Sequence, residues 1–263
     1  MPAPAVTRRW AAQTPPGFEF SIKLFQKFTH PGMVGRDAPL ARTPAGERRP
    51  LPEPTPADLD EFRAALDPLA EAGKLGVLLI QFPAGFQSEP RSRDYLARQL
   101  EWFRDYPLAV ELRHRSWSDE QHETDTLLGA AGAALVQIDE PKFRFSIRQD
   151  REPNVRSHYY VRLHGRNAAQ WWTHDSPDDR YNYLYSGEEL GRIAETIKRV
   201  GRSVDKTYLY LNNHYSAKAV VNATVLKQML DVPIEGEYPE ELVEMYPELR
   251  GVVRTAPHRT LVR

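Results

Sequence analysis

The sequence predicts an α/β fold built on a parallel β-sheet, and three observations support this prediction. Short apolar runs recur along the chain, and at least five of them end in polar residues. Most intervals between the runs show helical spacing of apolar residues, and such alternation is typical of parallel sheets. The 263 residues, 41% of them hydrophobic, are enough for one large core. Because a barrel lets almost every strand contribute to its C-terminal face, the polar ends favour a TIM-barrel-like (β/α) barrel over an open sheet.

Six strands are recognisable, two fewer than an eight-stranded barrel contains. They begin near residues 18, 76, 107, 133, 158 and 206. The third run shows the pattern most clearly, because the apolar residues from Leu108 to Val110 lead directly into Glu111, Arg113 and His114. A buried strand that places charged side chains at its carboxyl end is the arrangement that a barrel uses to build a site.

Helices are predicted between or after most of these strands, over residues 56–72, 91–105, 118–131, 186–201 and 216–230. Thr55 is suited to be an N-cap, and Gly73 is a stop signal. Ser118 with Gln121, and Ser186 with Glu189, have the spacing of a capping box. The proline-rich residues 1–17 predict turns, and residues 30–56 predict a long irregular connection or lid.

Composition excludes several classes of function. The 35 basic and 36 acidic residues give a net charge of −1, so overall charge does not point to nucleic acid or to an anionic membrane. The absence of cysteine excludes disulfides, thiolate metal sites and cysteine nucleophiles, and it fits a reducing compartment. No apolar run approaches the length of a membrane span, and no signal-peptide pattern is present. We therefore expect a soluble cytoplasmic protein with no membrane partner.

The polar strand ends occur in an order and spacing that resemble the YecE-like proteins, domain-of-unknown-function family 72. The motifs are Phe18-x-Phe20-x-x-Lys23, Gln81-x-Pro83-x-x-Phe86, Glu111-x-Arg113-His114-x-x-Trp117, Arg162-x-His164-Gly165 and Asn212-Asn213. The resemblance covers roughly residues 5–230 and implies a TIM-barrel fold. It leads us to expect one domain over residues 1–230 and a C-terminal extension over residues 231–263.

The resemblance also accounts for the two strands that are not found. The family begins with a GTSGW-like strand and a second strand carrying an acid, and neither pattern occurs in this sequence. We therefore expect an N-terminally incomplete barrel, lacking the first two β/α units through a misassigned start codon or a real truncation.

The third strand carries the first candidate site residues. Glu111 and Arg113 have the same strand parity, so both side chains can point to the barrel mouth. A bidentate pair there would either act on substrate or serve as a structural ion pair. Asp139 and Gln81 occupy comparable strand ends, where hydrogen bonds to loop amides are the alternative role.

Arg162 and His164 likewise share a parity, and Gly165 allows a tight turn beside them. This pair is predicted to bind an anion and transfer a proton, since histidine titrates near neutral pH. The alternative is a buried histidine that donates to a carbonyl. Lys23 is predicted to contact a phosphate or carboxylate, with a Schiff-base role less favoured.

The remaining candidates are contacts to a ligand. Asn212 and Asn213 can orient a hydroxyl or amide group, although asparagine also forms ordinary turns. The aromatic side chains of Trp117 and Tyr181 can stack on a base or sugar, or pack within loops. His114 is a further ligand contact. Oxygen and nitrogen ligands for a divalent metal are available in Glu111, Asp139, His164 and His114, but no H-x-H or H-E-x-x-H spacing supports a metal site, and none is predicted.

The predicted function is that of an uncharacterised YecE-like protein with Glu111, His164 and Asp139 as acid–base candidates. The first hypothesis is an enzyme acting on a small or oligomeric anionic ligand at the C-terminal mouth of the barrel. The alternatives are a nucleic-acid-binding protein or metal-dependent nuclease, and a degenerate barrel without activity. The cofactor and the oligomeric state stay open.

Overall fold

The computed structural model describes residues 1–30, 40–42, 48–50, 53–148, 152–173, 175–176 and 178–256. The chain divides into two compact units. Unit 1 comprises residues 1–136 and 144–155, and unit 2 comprises residues 137–143 and 156–263. Within the described ranges, no helix is both long enough and apolar enough to cross a membrane.

Unit 1 alternates helices with strands along the chain. Its elements are α1 (Pro4–Gln13), β1 (Phe20–Lys23), α2 (Gln26–Thr29), β2 (Leu40–Arg42), β3 (Arg48–Pro50), α3 (Pro56–Glu71), β4 (Leu75–Gln81), α4 (Pro90–Trp102), β5 (Leu108–Glu111), α5 (Ser116–Asp119), α6 (Gln121–Ala130) and β6 (Ala134–Leu135). The strands β1, β4, β5 and β6 pair in this order, and every pairing is parallel. The predicted parallel arrangement is thus present in unit 1.

The first helix corrects the prediction that residues 1–17 form turns. Pro4 lies at the start of α1, where a missing N–H costs nothing, and the helix runs to Gln13. The ammonium group of Lys74 donates to the carbonyl oxygens of Ala11 and Thr14 at 2.7 and 2.5 Å, which satisfies acceptors at the carboxyl end of the helix. Proline is typical of turns, but it is also favoured at the first position of a helix, and Pro4 occupies that position.

One predicted capping box is wrong. The hydroxyl of Ser118 donates to the carbonyl oxygen of Arg115 at 2.7 Å, and Ser118 itself lies inside the short helix α5. The chain then begins α6 at Gln121, so the predicted helix is two helices. The N-cap at Thr55 is confirmed, because its side chain and that of Asp58 form a capping box.

The predicted strand over residues 133–138 is likewise interrupted. Residues Ala134–Leu135 form β6, which pairs with β5. After Val136, residues Gln137–Asp139 form β7, the first strand of unit 2. The irregular connection predicted over residues 30–56 lies mostly outside the described residues, apart from the antiparallel strands β2 and β3.

Unit 2 contains a second parallel sheet and its helices. Its elements continue with β8 (Tyr159–Leu163), α7 (Gly187–Val200), β9 (Thr207–Leu211), α8 (Lys218–Met229), β10 (Glu237–Pro239), α9 (Glu240–Met245) and β11 (Arg254–Ala256). The strands β7, β8 and β9 pair in this order, with Arg162 aligned with Ile138 on one side and with Tyr210 on the other. The capping box at the start of α7, formed by Ser186 and Glu189, is confirmed.

The two faces of this second sheet differ in chemistry. Odd-numbered residues of β8 and β9 pack with apolar residues of α7 and α8 in one core cluster; those from the strands are Tyr159, Val161, Leu163, Leu209 and Leu211. Because side chains alternate along a strand, the even-numbered residues point to the opposite face. That face carries Tyr160, Arg162, Tyr208 and Tyr210. We call it the polar face of unit 2.

Part of the segment from residue 231 to residue 256 packs on helix α8. Tyr246 and Leu249, which are 6% and 0% exposed, pack with the fully buried Val221 of α8. The strands β10 and β11 pair in parallel. The expected domain boundary at residue 230 stays a prediction.

Candidate functional site

The carboxyl ends of the strands in unit 1 hold a buried ion pair. Glu111 has no exposed surface, and its Oε1 accepts hydrogen bonds from Nε and Nη2 of Arg113 at 2.8 and 2.6 Å. The amide of Ile147 donates to the carbonyl oxygen of Arg113, which fixes the backbone there. A charged pair with this geometry keeps the carboxylate oriented without exposing it to bulk water.

The neighbouring strands bring Gln81 and Lys23 to the same sheet. Gln81 is aligned with Glu111, and Lys23 is aligned with Leu79, two residues before Gln81. Partners in a parallel pairing point to the same face, and so do residues i and i+2 of one strand. Lys23, Gln81 and Glu111 therefore share one face of the unit 1 sheet.

His30 is a candidate that the sequence analysis did not identify. It follows β1 and the short helix α2, and its Nδ1 lies 2.9 Å from the hydroxyl of Thr29. Burial, together with the positive charge of Lys23, lowers the pKa of His30 to about 4. Its signal in the sequence is weak, because His30 directly precedes Pro31 and Gly32 and lies within the residues predicted to form an irregular connection.

The low pKa of His30 predicts a loss of stability in mild acid. Its folded-state pKa of about 4 lies below the ordinary value of 6.5. Between these values the unfolded chain binds a proton that the folded chain does not, so stability is retained above pH 6.5 and lost as the pH falls towards 4. Allowing for partial exposure of the ring, we expect this loss to be about 2 kcal/mol.

Urea unfolding of the wild type and of His30→Gln at pH 7.5 and pH 4.5 measures this contribution. The variant should lose less stability between the two pH values than the wild type does. The exposed His122 on α6 supplies a matched control, since His122→Gln should follow the wild type. Equal pH dependence in the wild type and His30→Gln would show that His30 does not carry the effect.

Two further predicted site residues of unit 1, Trp117 and His114, make contacts with neighbouring residues of the protein. Trp117 is fully buried, its indole N–H donates to the carbonyl oxygen of Phe86 at 2.7 Å, and its ring stacks on that of Phe86. Nδ1 of His114 lies 2.9 Å from the hydroxyl of Ser116 and accepts from the backbone N–H of the same residue. Burial lowers the pKa of His114. Both residues stabilise the turn that leads from β5 into α5.

In unit 2 the polar face ends in Arg162, His164 and Asn212. Arg162 is 9% exposed and His164 is 1% exposed. Nδ2 of Asn212 lies 3.3 Å from Nδ1 of His164. The backbone N–H of Asn212 donates to the carbonyl oxygen of Leu163 at 2.7 Å, and this bond joins the ends of β8 and β9. The structure thus brings three of the predicted site residues to one end of one sheet.

Asp139 lies beside this end but is held by other side chains. Its two carboxylate oxygens accept from Nε and Nη2 of Arg166 at 2.8 and 2.7 Å, and the hydroxyl of Tyr185 donates to Oδ1 at 2.8 Å. The hydrogen bond to Asp139 raises the pKa of Arg166. Burial and the charge of Asp139 raise the pKa of Tyr185. The arginine that binds Asp139 was not predicted, because it lies in the loop after the motif.

Arg166 also joins this network to helix α7. Its Nη1 donates to Glu189 at 2.8 Å, and the hydroxyl of Tyr183 donates to the same oxygen at 2.8 Å. Burial and the bond to Glu189 raise the pKa of Tyr183 to about 12. Burial acts against the shift at Glu189, but hydrogen bonds from Ser186 and Tyr183 and the charge of Arg166 lower the pKa of Glu189.

The network reaches the backbone beside His164. The hydroxyl of Tyr185 accepts from the amide of Gly165 at 2.9 Å, and the amide of His164 donates to the carbonyl oxygen of Asp139 at 2.7 Å. Asp139, Arg166 and Tyr185 therefore fix the turn that carries the imidazole.

Asn213 and Tyr181 occupy different surroundings. Asn213 has no exposed surface, and its Nδ2 donates to the carbonyl oxygen of Tyr183 and to Oδ1 of Asn222 at 2.9 and 2.8 Å. Tyr181 lies between β8 and α7, where its ring centroid is 6.3 Å from that of Trp171 and 5.0 Å from that of His214. Asn213 thus braces the loop before α7, and Tyr181 lies within an aromatic cluster.

The described residues contain no group of three or more histidine, aspartate and glutamate side chains placed to hold a metal ion. The carboxyl ends of the strands carry hydrogen-bonding and charged side chains in both units.

The parallel strands, the alternating helices and the polar strand ends define an α/β protein of the TIM-barrel-like class, as predicted. The chain belongs to the family described as "Protein of unknown function DUF72", whose profile matches residues 1–243. It is therefore an uncharacterised member of that family, which agrees with the resemblance found in its motifs. The match extends past residue 230, where the resemblance in the motifs ends.

Three relatives illustrate the similarity. The UPF0759 protein YunF of Bacillus subtilis is 27% identical over an alignment of 246 residues, and the match covers 89% of this chain and 80% of that protein. A crystal structure of a DUF72 family protein from Thermotoga maritima is 31% identical, with a TM-score of 0.71, covering 88% of this chain and 80% of that one. A second DUF72 structure, from Enterococcus faecalis, is 22% identical, with a TM-score of 0.75, covering 91% of this chain and 84% of that one.

Proposed function

We propose that the protein is an acid–base enzyme that binds a small anionic ligand at the carboxyl ends of β8 and β9. Arg162 is the anion contact, and His164 is the group that gives or takes a proton. The observation that carries the proposal is the position of the buried His164, whose Nδ1 lies 3.3 Å from Nδ2 of Asn212 on the polar face that also carries Arg162.

The arginine supports anion binding for reasons of chemistry. A guanidinium keeps its charge at all physiological pH values and presents a planar array of donors that matches carboxylate and phosphate. Arg162 is 9% exposed, so little of its charge is in contact with bulk water, and a charge in such surroundings attracts an anion more strongly than one in water.

Asn212 supports a particular tautomer of His164. When its amide N–H donates to Nδ1, that nitrogen is an acceptor, and the proton of the neutral ring is on Nε2. Nε2–H is then the group that donates a proton or hydrogen bond to the ligand. The turn at Gly165, held by Tyr185, keeps the ring in place.

Glu111 is our proposed acid or base in unit 1. Its contact with Arg113 holds one carboxylate oxygen, and Gln81 and Lys23 share its sheet face. Asp139 is held by Arg166 and Tyr185, which favours a positioning role over direct proton transfer. We propose a cytoplasmic location, which the lack of cysteine supports.

Binding of inorganic phosphate tests the proposal. Phosphate at about twenty times its dissociation constant should raise the free energy of unfolding of the wild type by roughly 2 kcal/mol. Arg162→Gln should abolish this gain because the guanidinium is gone. Arg192→Gln, at an exposed arginine of α7, should retain it.

Thermal unfolding with and without phosphate, followed by circular dichroism, measures the effect. Sulfate serves as a second anion of similar shape. An equal gain in stability in the wild type and in Arg162→Gln would place the bound anion elsewhere and refute the proposal.

A further inference from the structure

We propose that the ligand of the polar face is a sugar phosphate, a hydroxylated ring that carries the anion bound by Arg162. This inference rests on the proposed anion site and specifies the class of ligand. It follows from the side chains that surround Arg162 on the same face, namely the tyrosines of β8 and β9 and the paired Asn212 and His164.

Three tyrosine rings stack on the part of this face that precedes His164 and Asn212, and they belong to Tyr160, Tyr208 and Tyr210. The ring centroids of Tyr160 and Tyr210 are 5.1 Å apart, and those of Tyr160 and Tyr208 are 5.9 Å apart, with interplanar angles of 23° and 28°. Stacking of this kind holds each ring in one orientation. Tyr160 is 2% exposed, whereas Tyr210 is partly exposed. Tyr210 is therefore a pre-oriented aromatic surface that a ligand can reach.

The register places this surface beside the anion contact. Tyr210 is aligned with Arg162 on the adjacent strand. Asn212 follows Tyr210 by two residues, as His164 follows Arg162, so all four side chains belong to the same face. Adjacent strands are about 4.8 Å apart, and residues i and i+2 are about 6.6 Å apart. The four residues thus frame an area of about 5 by 7 Å, which is the scale of one monosaccharide ring.

The chemistry of these groups distinguishes a sugar from other anions. The C–H face of a sugar ring packs on an aromatic side chain, and its hydroxyl groups need partners that both donate and accept. Tyr210 supplies the aromatic surface, and the amide of Asn212 supplies a donor and an acceptor. Inorganic phosphate or a small dicarboxylate contacts Arg162 and His164 but makes no use of the ring of Tyr210 or of the hydrogen-bonding amide of Asn212. A sugar phosphate uses all of them, as binding sites with one aromatic wall and a few placed polar groups do.

Isothermal calorimetry with three probes tests the inference. The probes are inorganic phosphate, ribose 5-phosphate and glucose 6-phosphate. At least one sugar phosphate should bind the wild type tenfold or more tightly than phosphate does. Tyr210→Leu should reduce this ratio severalfold and leave the affinity for phosphate nearly unchanged, because Tyr210 makes no contact with the anion in the proposed site.

Tyr215→Leu is the matched control, because Tyr215 is an exposed tyrosine of unit 2 outside the polar face, and this variant should keep the wild-type ratio. Circular dichroism establishes that each variant is folded. If phosphate binds and neither sugar phosphate binds more tightly, the inference is overturned while the proposed anion site stands. An unchanged ratio in Tyr210→Leu also overturns it. If no probe binds, the proposed function itself fails.

Discussion

Replacing Gly165 with alanine is expected to destabilise the protein by roughly 3 to 5 kcal/mol. The backbone of Gly165 has φ = +89°, a conformation that residues with a Cβ rarely adopt. In addition, a Cβ at this position would lie 2.8 Å from the Cβ of Tyr183. That atom is attached directly to the backbone, so it cannot swing away as the end of a flexible side chain could. Urea unfolding at neutral pH measures the loss.

A second glycine separates the two causes. Gly132 has φ = +61°, but an added Cβ there meets nothing within 4 Å. Gly132→Ala should therefore lose only about 1 to 2 kcal/mol, the cost of the left-handed backbone alone. Similar losses in the two variants would contradict the close contact between residues 165 and 183. Because Gly165 follows His164, we also expect Gly165→Ala to lose the stabilisation by phosphate.

The second large effect is expected from Arg166→Gln. This substitution removes the bidentate partner of Asp139 and the ion-pair partner of Glu189. The side chains of Asp139 and Glu189 are 19% and 18% exposed, so both carboxylates are left largely desolvated. Breaking a buried pair in this way costs about 3 to 5 kcal/mol, and partial exposure reduces our expectation to about 2 to 3 kcal/mol.

The pH dependence of this loss has a defined sign. Since the pKa of Glu189 is lowered in the folded state, its contribution to stability is present above its ordinary value of 4.5 and lost as the pH falls. The difference in the free energy of unfolding between the wild type and Arg166→Gln should therefore become smaller in acid. Arg192→Gln breaks an exposed pair with Glu188 and should cost less than about 0.5 kcal/mol at any pH. A comparable loss in both variants would mean that Arg166 is only a surface residue.

Much of the fold could be predicted from the sequence because local signals agreed with the tertiary structure. The helix that begins after Thr55 and the helix that begins after Ser186 have capping boxes. The apolar runs of β4, β5, β8 and β9 were located to within about two residues at each end. In the two helices, the spacing of the apolar residues and the capping box predict the same start. In the four strands, the apolar run alone predicts the element.

The errors fall where distant contacts decide the outcome. Helix α1 is capped by Lys74, which lies about 60 residues further along the chain. Ser118 has the spacing of a capping box, but its hydroxyl donates to the carbonyl of Arg115, just before α5, and accepts from the backbone N–H of Arg148, 30 residues further along the chain. Neither the contact with Lys74 nor that with Arg148 leaves a trace in the neighbouring sequence.

The candidate site likewise combines local features, which the sequence carries, with features that depend on tertiary contacts. The alternation of side chains along a strand is a local property that the sequence carries, but the alignment of Arg162 with Tyr210 depends on the pairing of two distant strands. The partners of Asp139 could not be predicted, because Arg166 and Tyr185 come from loops whose path depends on packing. His30 was missed for a similar reason, since its low pKa depends on burial and on Lys23.

The central claim is that His164 meets the anion held by Arg162. Nitrogen-15 spectra of histidine-labelled protein test it most directly, with His164→Gln used to assign the signals of the ring. We predict that the neutral ring carries its proton on Nε2, and that saturating phosphate shifts the Nε2 signal in the wild type but not in Arg162→Gln. A proton on Nδ1, or a His164 signal that does not change with phosphate, would contradict the claim.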